Sequence, residues 1–327
     1  MDARRSARST KQLSLEIACY GVGNIGRSWA LAFALRGHRV RIYDRSVDAA
    51  AAASRTIGSG LAALARARLV KNPQAVRSRI EVTRDARRAL QGAYYVQESV
   101  PEDRAIKRAA LEEIAACAPK SALIGSSSST IPGSEFMQIT NPGRCMVVHP
   151  VNPPHVIRAV ELVPTPWTTR QTIARVSDLM VSIGQRPVLL KRELFGFVVN
   201  RLQFALVNEA LHLIRDGVCD AEAIDVAMRD GLGPRWALYG VFGASHLNAG
   251  GGIREYYSKF ASTLRAILEC LHAGPCVPDA AMTEAIARSL EKGMPVRDVP
   301  THQARRDLRL MKLRRFLTSF DKVEPAG

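Results

Sequence analysis

An α/β domain followed by an all-helical one is the architecture this sequence predicts, on three observations. Residues 15–20, LEIACY, run straight into Gly21-Val22-Gly23-Asn24-Ile25-Gly26, and an apolar stretch at helical spacing follows as far as Gly37. Short apolar segments then alternate with helical ones up to residue 190, which is the signature of a mainly parallel sheet. From about residue 197 the period changes. Val198, Val199, Leu202, Leu206, Ala210 and Leu213 recur every three or four residues, as on one face of a helix. The domains are therefore placed at 1–193 and 194–327, with residues 1–12 as a basic, disordered tail.

Taken in order, the first strand covers 15–20 and the helix behind the glycines runs to Gly37. The second strand is Val40–Tyr43, closed by Asp44. Residues 48–70 are Ala-rich and helical until Asn72-Pro73 breaks them. A second helical stretch, the strand Ile80–Thr83 and the strand Ala93–Glu98 come next. Ser99-Val100-Pro101 turns the chain, and 102–117 is helical with charges on its exposed face. Further strands are Ser121–Gly125, Cys145–Val148, Ala159–Val163 and Pro187–Leu190, with a helix over 169–184. In the second domain helices are expected over 197–216, 220–230, 253–272, 279–292 and 302–317. The stretch Gly231-Leu232-Gly233-Pro234-Arg235 reads as a loop.

Length and composition bound the function. A chain of 327 residues buries a sizeable core without staples. Its hydrophobic fraction of 47% and charged fraction of 23% are those of globular proteins, not disordered ones. No apolar run approaches the ~18 residues of a membrane span, so no membrane partner is expected. The basic N-terminus lacks the apolar core of an export signal. The six cysteines form no CxxC pair, which favours free thiols in a cytoplasmic compartment and no metal site. The net charge of +16 admits two readings. One is an electrostatic footprint for a polyanion. The other is compositional habit, since Arg is spread along the whole chain. The densest run, Arg305 to Arg315, alternates with Leu308, Leu310, Met311 and Leu313 as a solvated face of a helix would. The second reading is adopted, with no nucleic-acid partner. A small anionic substrate also fits the charge.

The glycine turn carries the first chemistry. A strand precedes it, a helix follows it, and an acid ends the next strand. Gly21 permits the tight turn, Gly23 lets the backbone approach a pyrophosphate, and Gly26 allows helix and strand to pack closely. Val22, Asn24 and Ile25 lie with them against the phosphates, where the helix start supplies amide donors. Asp44 stands 18 residues beyond Gly26, where an acid binds the adenosine ribose 2′-hydroxyl and repels a 2′-phosphate. This is a Rossmann-type dinucleotide-binding domain with NAD as the expected cofactor. FAD shares the glycine pattern, and the residues downstream favour NAD.

Polar residues interrupt the apolar pattern at three strand ends and one helix start. They are Ser126–Ser129, His149 in HPVNPP, Glu161 inside AVELV, and Asn200. A carboxylate inside an apolar strand is costly unless paired. Twelve residues separate Glu161 from His149, enough for a turn that returns the second strand beside the first. The pair would orient the imidazole and stabilise its charged form. The plain alternative is a core histidine and an edge glutamate with no chemistry.

These segments resemble the 3-hydroxyacyl-CoA dehydrogenase family. The resemblance rests on SSSST (126–130), HPVNPP (149–154), VELVP (160–164) and GFVVNRL (196–202), and runs from Ile17 to about Phe316. YYVQESVPED (94–103), GLGPRWALYG (231–240) and HLNAGGG (246–252) resemble its lambda-crystallin, or L-gulonate 3-dehydrogenase, branch. The resemblance implies His149 as general base, Glu161 as its support, and Ser129 and Asn200 as hydrogen-bond partners of the substrate oxygen or of His149. It implies cofactor contacts at Glu102 and Lys107, for which a solvated helix start is the structural alternative. The catalytic serine's register within 126–129 is open by one residue. Gly125 stands where the branch has a further serine, and Tyr20 where a small aliphatic residue is expected. The branch implies a free 3-hydroxy acid, and Arg235 is the candidate for its carboxylate, against the reading of one surface arginine among many. The substrate is expected between the domains and the helical domains are expected to pair into a homodimer. The alternatives are a 3-hydroxyacyl-CoA or L-carnitine as substrate, or a crystallin-like structural or nucleotide-binding protein.

Overall fold

A computed structural model describes residues 14–320. The tail expected over 1–12 lies outside the described residues. The chain divides into two compact units. The first holds the residues up to Asn200 together with Asp307–Arg314, and the second holds Arg201–Arg306 and the residues from Arg315 on.

The first unit is built on one eight-stranded sheet. Its strands are β1 (Glu16–Tyr20), β2 (Arg39–Tyr43), β3 (Ile80–Thr83), β4 (Tyr95–Glu98), β5 (Leu123–Ser126), β6 (Cys145–Pro150), β7 (Ala159–Pro164) and β8 (Arg186–Leu189). The spatial order is β3-β2-β1-β4-β5-β6-β7-β8. All neighbours are parallel except β6 and β7, which run antiparallel. The order reverses between β1 and β4, and such a switch point opens a crevice at the carboxyl ends of the strands.

The helices of this unit are α1 (Asn24–Leu35), α2 (Val47–Arg66), α3 (Pro73–Arg77), α4 (Ala86–Leu90), α5 (Arg104–Cys117) and α6 (Arg170–Ser182). They cover both faces. On one face Trp29, Phe33, Ile57, Leu61 and Val176 pack on Ile17, Val40, Ile42 and Val148. On the other Leu90, Leu111, Ile114 and Phe136 pack on Ala18, Val96, Ile124 and Val147. Central strands buried on both faces read as continuous apolar runs for this reason. Side chains cap α2 (Ser46), α3 (Asn72), α4 (Asp85), α5 (Asp103) and α6 (Thr169), each accepting from a backbone N–H of the first turn. At α1 the cap position is Gly23, which has no side chain to offer. The helix α4 escaped the sequence reading because it is only five residues long.

The second unit is helical, as expected. It contains most of α7 (Val199–Arg215), then α8 (Ala221–Val226), α9 (Gly233–His246), α10 (Gly252–Cys270), α11 (Ala280–Glu291) and parts of α12 (Val299–Phe320). One expectation is corrected here. Residues 231–235 are not a loop, because a π-helical turn over Ala227–Leu232 leads directly into α9. Glycine and proline mark breaks in most sequences, but Pro234 sits in the first turn of α9, where its missing N–H costs nothing. At Gly233 a Cβ would meet the Met228 carbonyl at 2.6 Å, so only glycine lets the two helical turns join this tightly. Arg235 is therefore an exposed residue of a helix. All six cysteines are free thiols. Among the described residues no helix is long and apolar enough to cross a membrane, and no group of three or more His, Cys, Asp or Glu could hold a metal.

Candidate active site

The glycine turn occupies the switch point. Gly21 follows β1 with φ +108°, and its N–H donates to the Tyr43 carbonyl at 2.8 Å. A Cβ on Gly21 would lie 2.6 Å from the Ser99 carbonyl oxygen, and one on Gly26 only 1.9 Å from the Gly21 carbonyl oxygen. Nothing lies within 4 Å of the Cβ position of Gly23. Two glycines thus close the turn by packing, while the middle one leaves open space. Asp44 ties the turn to the end of β2. Its Oδ2 accepts from Val22 N–H at 3.2 Å and its Oδ1 from Ser46 N–H at 3.0 Å. Gly21 through Ile25 and Asp44 line one cleft of about 870 Å³, together with Ser99, Val100 and side chains of α2 and α5.

The second cluster stands at the ends of β5, β6 and β7. The register pairs His149 directly with Glu161. His149 Nδ1 and Glu161 Oε2 are 2.7 Å apart, both side chains are buried, and Phe197 packs its ring against the imidazole. Glu161 Oε1 accepts two more bonds, from Val198 N–H at 2.7 Å and Val199 N–H at 3.0 Å. Gly196 (φ +75°) and Phe197 (φ +49°) turn the chain so that these two donors face the carboxylate. A non-glycine residue in that region is strained by about 1 kcal/mol or more. Burial alone would raise the Glu161 pKa, but bonds from His149, Val199 and Val198 outweigh it and hold the carboxyl below its usual value. A charged Glu161 makes Nδ1 the proton-bearing nitrogen. Nε2 of the neutral ring is then left with its lone pair.

Asn200, at the start of α7, donates from Nδ2 to the Ser129 carbonyl at 2.7 Å. The serine run divides by burial. Ser126 and Ser128 are buried; the first donates to Glu98, and the hydroxyl of the second lies between two acceptors, Glu102 Oε1 at 2.8 Å and the Ile131 carbonyl at 2.9 Å, which share its one proton. Ser127 bonds Gln97 and Ser99, and Ser129 stays half-buried near Glu102. Glu102 Oε1 also accepts from the N–H groups of Ser129 (2.8 Å) and Thr130 (3.0 Å). Burial raises its pKa, but Lys107 and these hydrogen bonds bring it down to about 2. Lys107 is 1% exposed and pairs with Glu98 at 3.2 Å and Glu102 at 3.3 Å. Its solvated alternative is therefore excluded, and neither Glu102 nor Lys107 lines the cleft described above. The pair braces the serine loop.

Glu98, Gln97 and Phe197 are structural parts of this site that sequence reasoning passed over. Gln97 and Glu98 end an otherwise apolar strand, the same signal that singled out Glu161. Gly125 also finds its reason here. A Cβ there would lie 2.0 Å from the Tyr95 hydroxyl, so the tyrosine fills the space a serine side chain would need.

A crevice at a switch point, an open glycine position and a helix start without a side-chain cap together suit the pyrophosphate of a dinucleotide, and Asp44 suits its ribose. These are the marks of an NAD-dependent oxidoreductase. The comparisons give its family. Residues 16–193 match the 3-hydroxyacyl-CoA dehydrogenase NAD binding domain, and residues 196–273 match the C-terminal domain of the same family. The chain belongs to the 3-hydroxyacyl-CoA dehydrogenase family, whose members are NAD-dependent dehydrogenases acting on CH–OH groups. It is 33% identical to the lambda-crystallin homolog of Homo sapiens over 314 residues, 94% of this chain and 97% of that one. It is 33% identical to the L-carnitine dehydrogenase of Nocardiopsis dassonvillei over 324 residues, 98% of this chain and 97% of that one. Among solved structures, an NAD+-dependent dismutase, 5-formyl-3-hydroxy-2-methylpyridine 4-carboxylic acid 5-dehydrogenase, superposes with a TM-score of 0.79. It is 28% identical, over 94% of this chain and 99% of that one.

Proposed function

We propose that the protein oxidises the 3-hydroxyl of a small, L-gulonate-like hydroxy acid to the 3-keto acid. The observation that carries this reading is the buried His149–Glu161 pair, with Nδ1 fixed and Nε2 left as a base. When bound, NAD supplies the carbon that accepts the hydride. His149 Nε2 takes the hydroxyl proton, Glu161 stabilises the imidazolium that forms, and Ser129 and Asn200 donate to the oxygen as its charge develops. Gly21 through Gly26 hold the pyrophosphate and Asp44 the ribose, and Glu102 and Lys107, which also fix the serine loop, are the further cofactor contacts. The similarity to L-carnitine dehydrogenase supports a free acid, since carnitine is itself a 3-hydroxy acid. The family's own description supports the second reading, a 3-hydroxyacyl-CoA.

Cofactor choice tests the first half. With Asp44 at the ribose, kcat/KM is expected to favour NAD over NADP by ~100-fold or more. Equal rates with the two cofactors would refute the assignment.

The substrate's charged end tests the second half. A carboxylate is best bound by a planar two-pronged donor, and Arg235 remains the candidate from its motif. Arg235→Lys is expected to raise KM for a free 3-hydroxy acid by ~10-fold or more with NADH affinity unchanged. An Arg235→Ala enzyme with wild-type KM would remove Arg235 from the site.

We also infer a homodimer formed through the helical unit. Leu202, Phe204, Leu238, Phe242, Ile267 and Leu268 of α7, α9 and α10 are all at least half exposed, an apolar surface a second copy would cover. The six free thiols support a cytoplasmic setting.

A further inference from the structure

Tyr20 is an unusual residue for its place, and its partner explains it. Its hydroxyl donates to Glu113 Oε2, and its ring packs on Tyr43 with centroids 4.8 Å apart. Among the described residues no donor is bonded to the other oxygen, Glu113 Oε1. All three residues line the same cleft as the glycine turn and Asp44.

The rest of that cleft has the form of a slot. From α5 it is lined by Ala105, Ile106, Ala109 and Glu113, and from α2 by Ala49 and Ala52. Residues 105, 109 and 113 lie four apart, so they form one stripe along the helix. Each step moves about 6 Å away from the ends of the strands. The upper part of the stripe is small and apolar, and Ile106 is left 41% exposed in it. A flat apolar ring would cover it. The lower end of the stripe is a carboxylate held in place by a tyrosine hydroxyl.

The pyrophosphate belongs at the glycine turn and the ribose at Asp44. The ring attached to that ribose has only the remainder of the slot to enter. We propose that Glu113, positioned by Tyr20, recognises the 6-amino group of the adenine ring of NAD. A carboxylate accepts and cannot donate, so it favours an amine at this position and opposes a carbonyl. The tyrosine is needed because an exposed glutamate on a helix would otherwise sample many rotamers. Glu113 is thus a specificity-determining residue for the base, separate from Asp44, which serves the ribose.

Nicotinamide hypoxanthine dinucleotide tests this directly, because it keeps the outline of the ring but replaces the 6-amino donor with an oxo acceptor and puts a proton on the neighbouring N1. Dissociation constants for its reduced form and for NADH are measured by fluorescence titration on the wild type, Glu113→Gln and Tyr20→Phe. The wild type is expected to bind NADH ~10-fold or more tightly than the hypoxanthine analogue. In Glu113→Gln the ratio falls to within ~2-fold, since an amide can present either end. Tyr20→Phe gives an intermediate ratio. Each protein is its own reference, so a variant that merely folds less well weakens both ligands alike. A wild-type ratio near one, or a full ratio retained in Glu113→Gln, would overturn the assignment. Tight NADH binding in either case would leave NAD as the cofactor.

Discussion

His149→Gln is expected to fold and to bind NADH as the wild type does, and to lose about 10²–10⁴-fold in kcat, the usual span for general acid–base catalysis. The expectation follows from which nitrogen is free. Glu161 holds Nδ1 at 2.7 Å and lies below its ordinary pKa, so it is charged and requires a proton on that nitrogen. Only Nε2 can then take a proton from substrate. Glutamine keeps much of the volume and a donor for Glu161 but offers no base. NADH affinity is spared because the dinucleotide cleft is lined by other residues. Saturating kinetics beside a fluorescence titration of NADH check both halves. Near-normal turnover with a good substrate would mean that another group takes the proton.

Glu161→Gln is expected to lose a comparable factor for a different reason. The amide oxygen can still accept from Val198 and Val199, which leaves its NH₂ group facing His149 Nδ1. A donor there makes Nδ1 the acceptor and moves the ring proton to Nε2, the nitrogen that must be free. The fold should survive, because the two backbone N–H groups keep a partner. Glu161→Ala should not be so benign. It leaves those donors unpaired in a buried place, at about 1–3 kcal/mol each. Nitrogen-15 NMR of the imidazole reads the tautomer, and thermal unfolding separates the two variants. Protonation should mimic the amide. Because the folded pKa of Glu161 lies below its ordinary value of 4.5, its contribution to stability is complete above that pH. It is lost as the pH falls through the depressed folded value. Glu161→Gln should flatten stability across that acid interval. An unchanged tautomer in Glu161→Gln with full activity would contradict the role given to the carboxylate.

Much of this was legible in the residues. All eight strands were marked by short apolar or alternating runs, and the central ones, β1 and β4 to β7, are buried along nearly their whole length, which leaves few polar positions within them. The pairing of His149 with Glu161 was legible because a lone carboxylate in AVELV requires a partner, and the antiparallel turn between β6 and β7 supplies it. What escaped were effects of packing at a distance. Nothing local in Gly231–Arg235 says that Gly233 must sit against the Met228 carbonyl, so a helix start read as a loop. Lys107 carries the pattern of an exposed helix residue, and only the two glutamates brought in by the chain's path make its burial affordable. Phe197 shows no sequence mark for its left-handed backbone, which is imposed by the demand of Glu161 for two N–H donors.

The central claim is that this base and this cofactor serve a free 3-hydroxy acid. The most direct test is the appearance of NADH absorbance when the purified protein meets NAD and, one at a time, L-gulonate, 3-hydroxybutyrate, L-carnitine and 3-hydroxybutyryl-CoA. NADH formation from at least one free acid, with kcat/KM above that for the CoA ester and lost in His149→Gln, is the predicted result. Turnover of the CoA ester alone would contradict the claim and make the acyl-CoA reading the correct one.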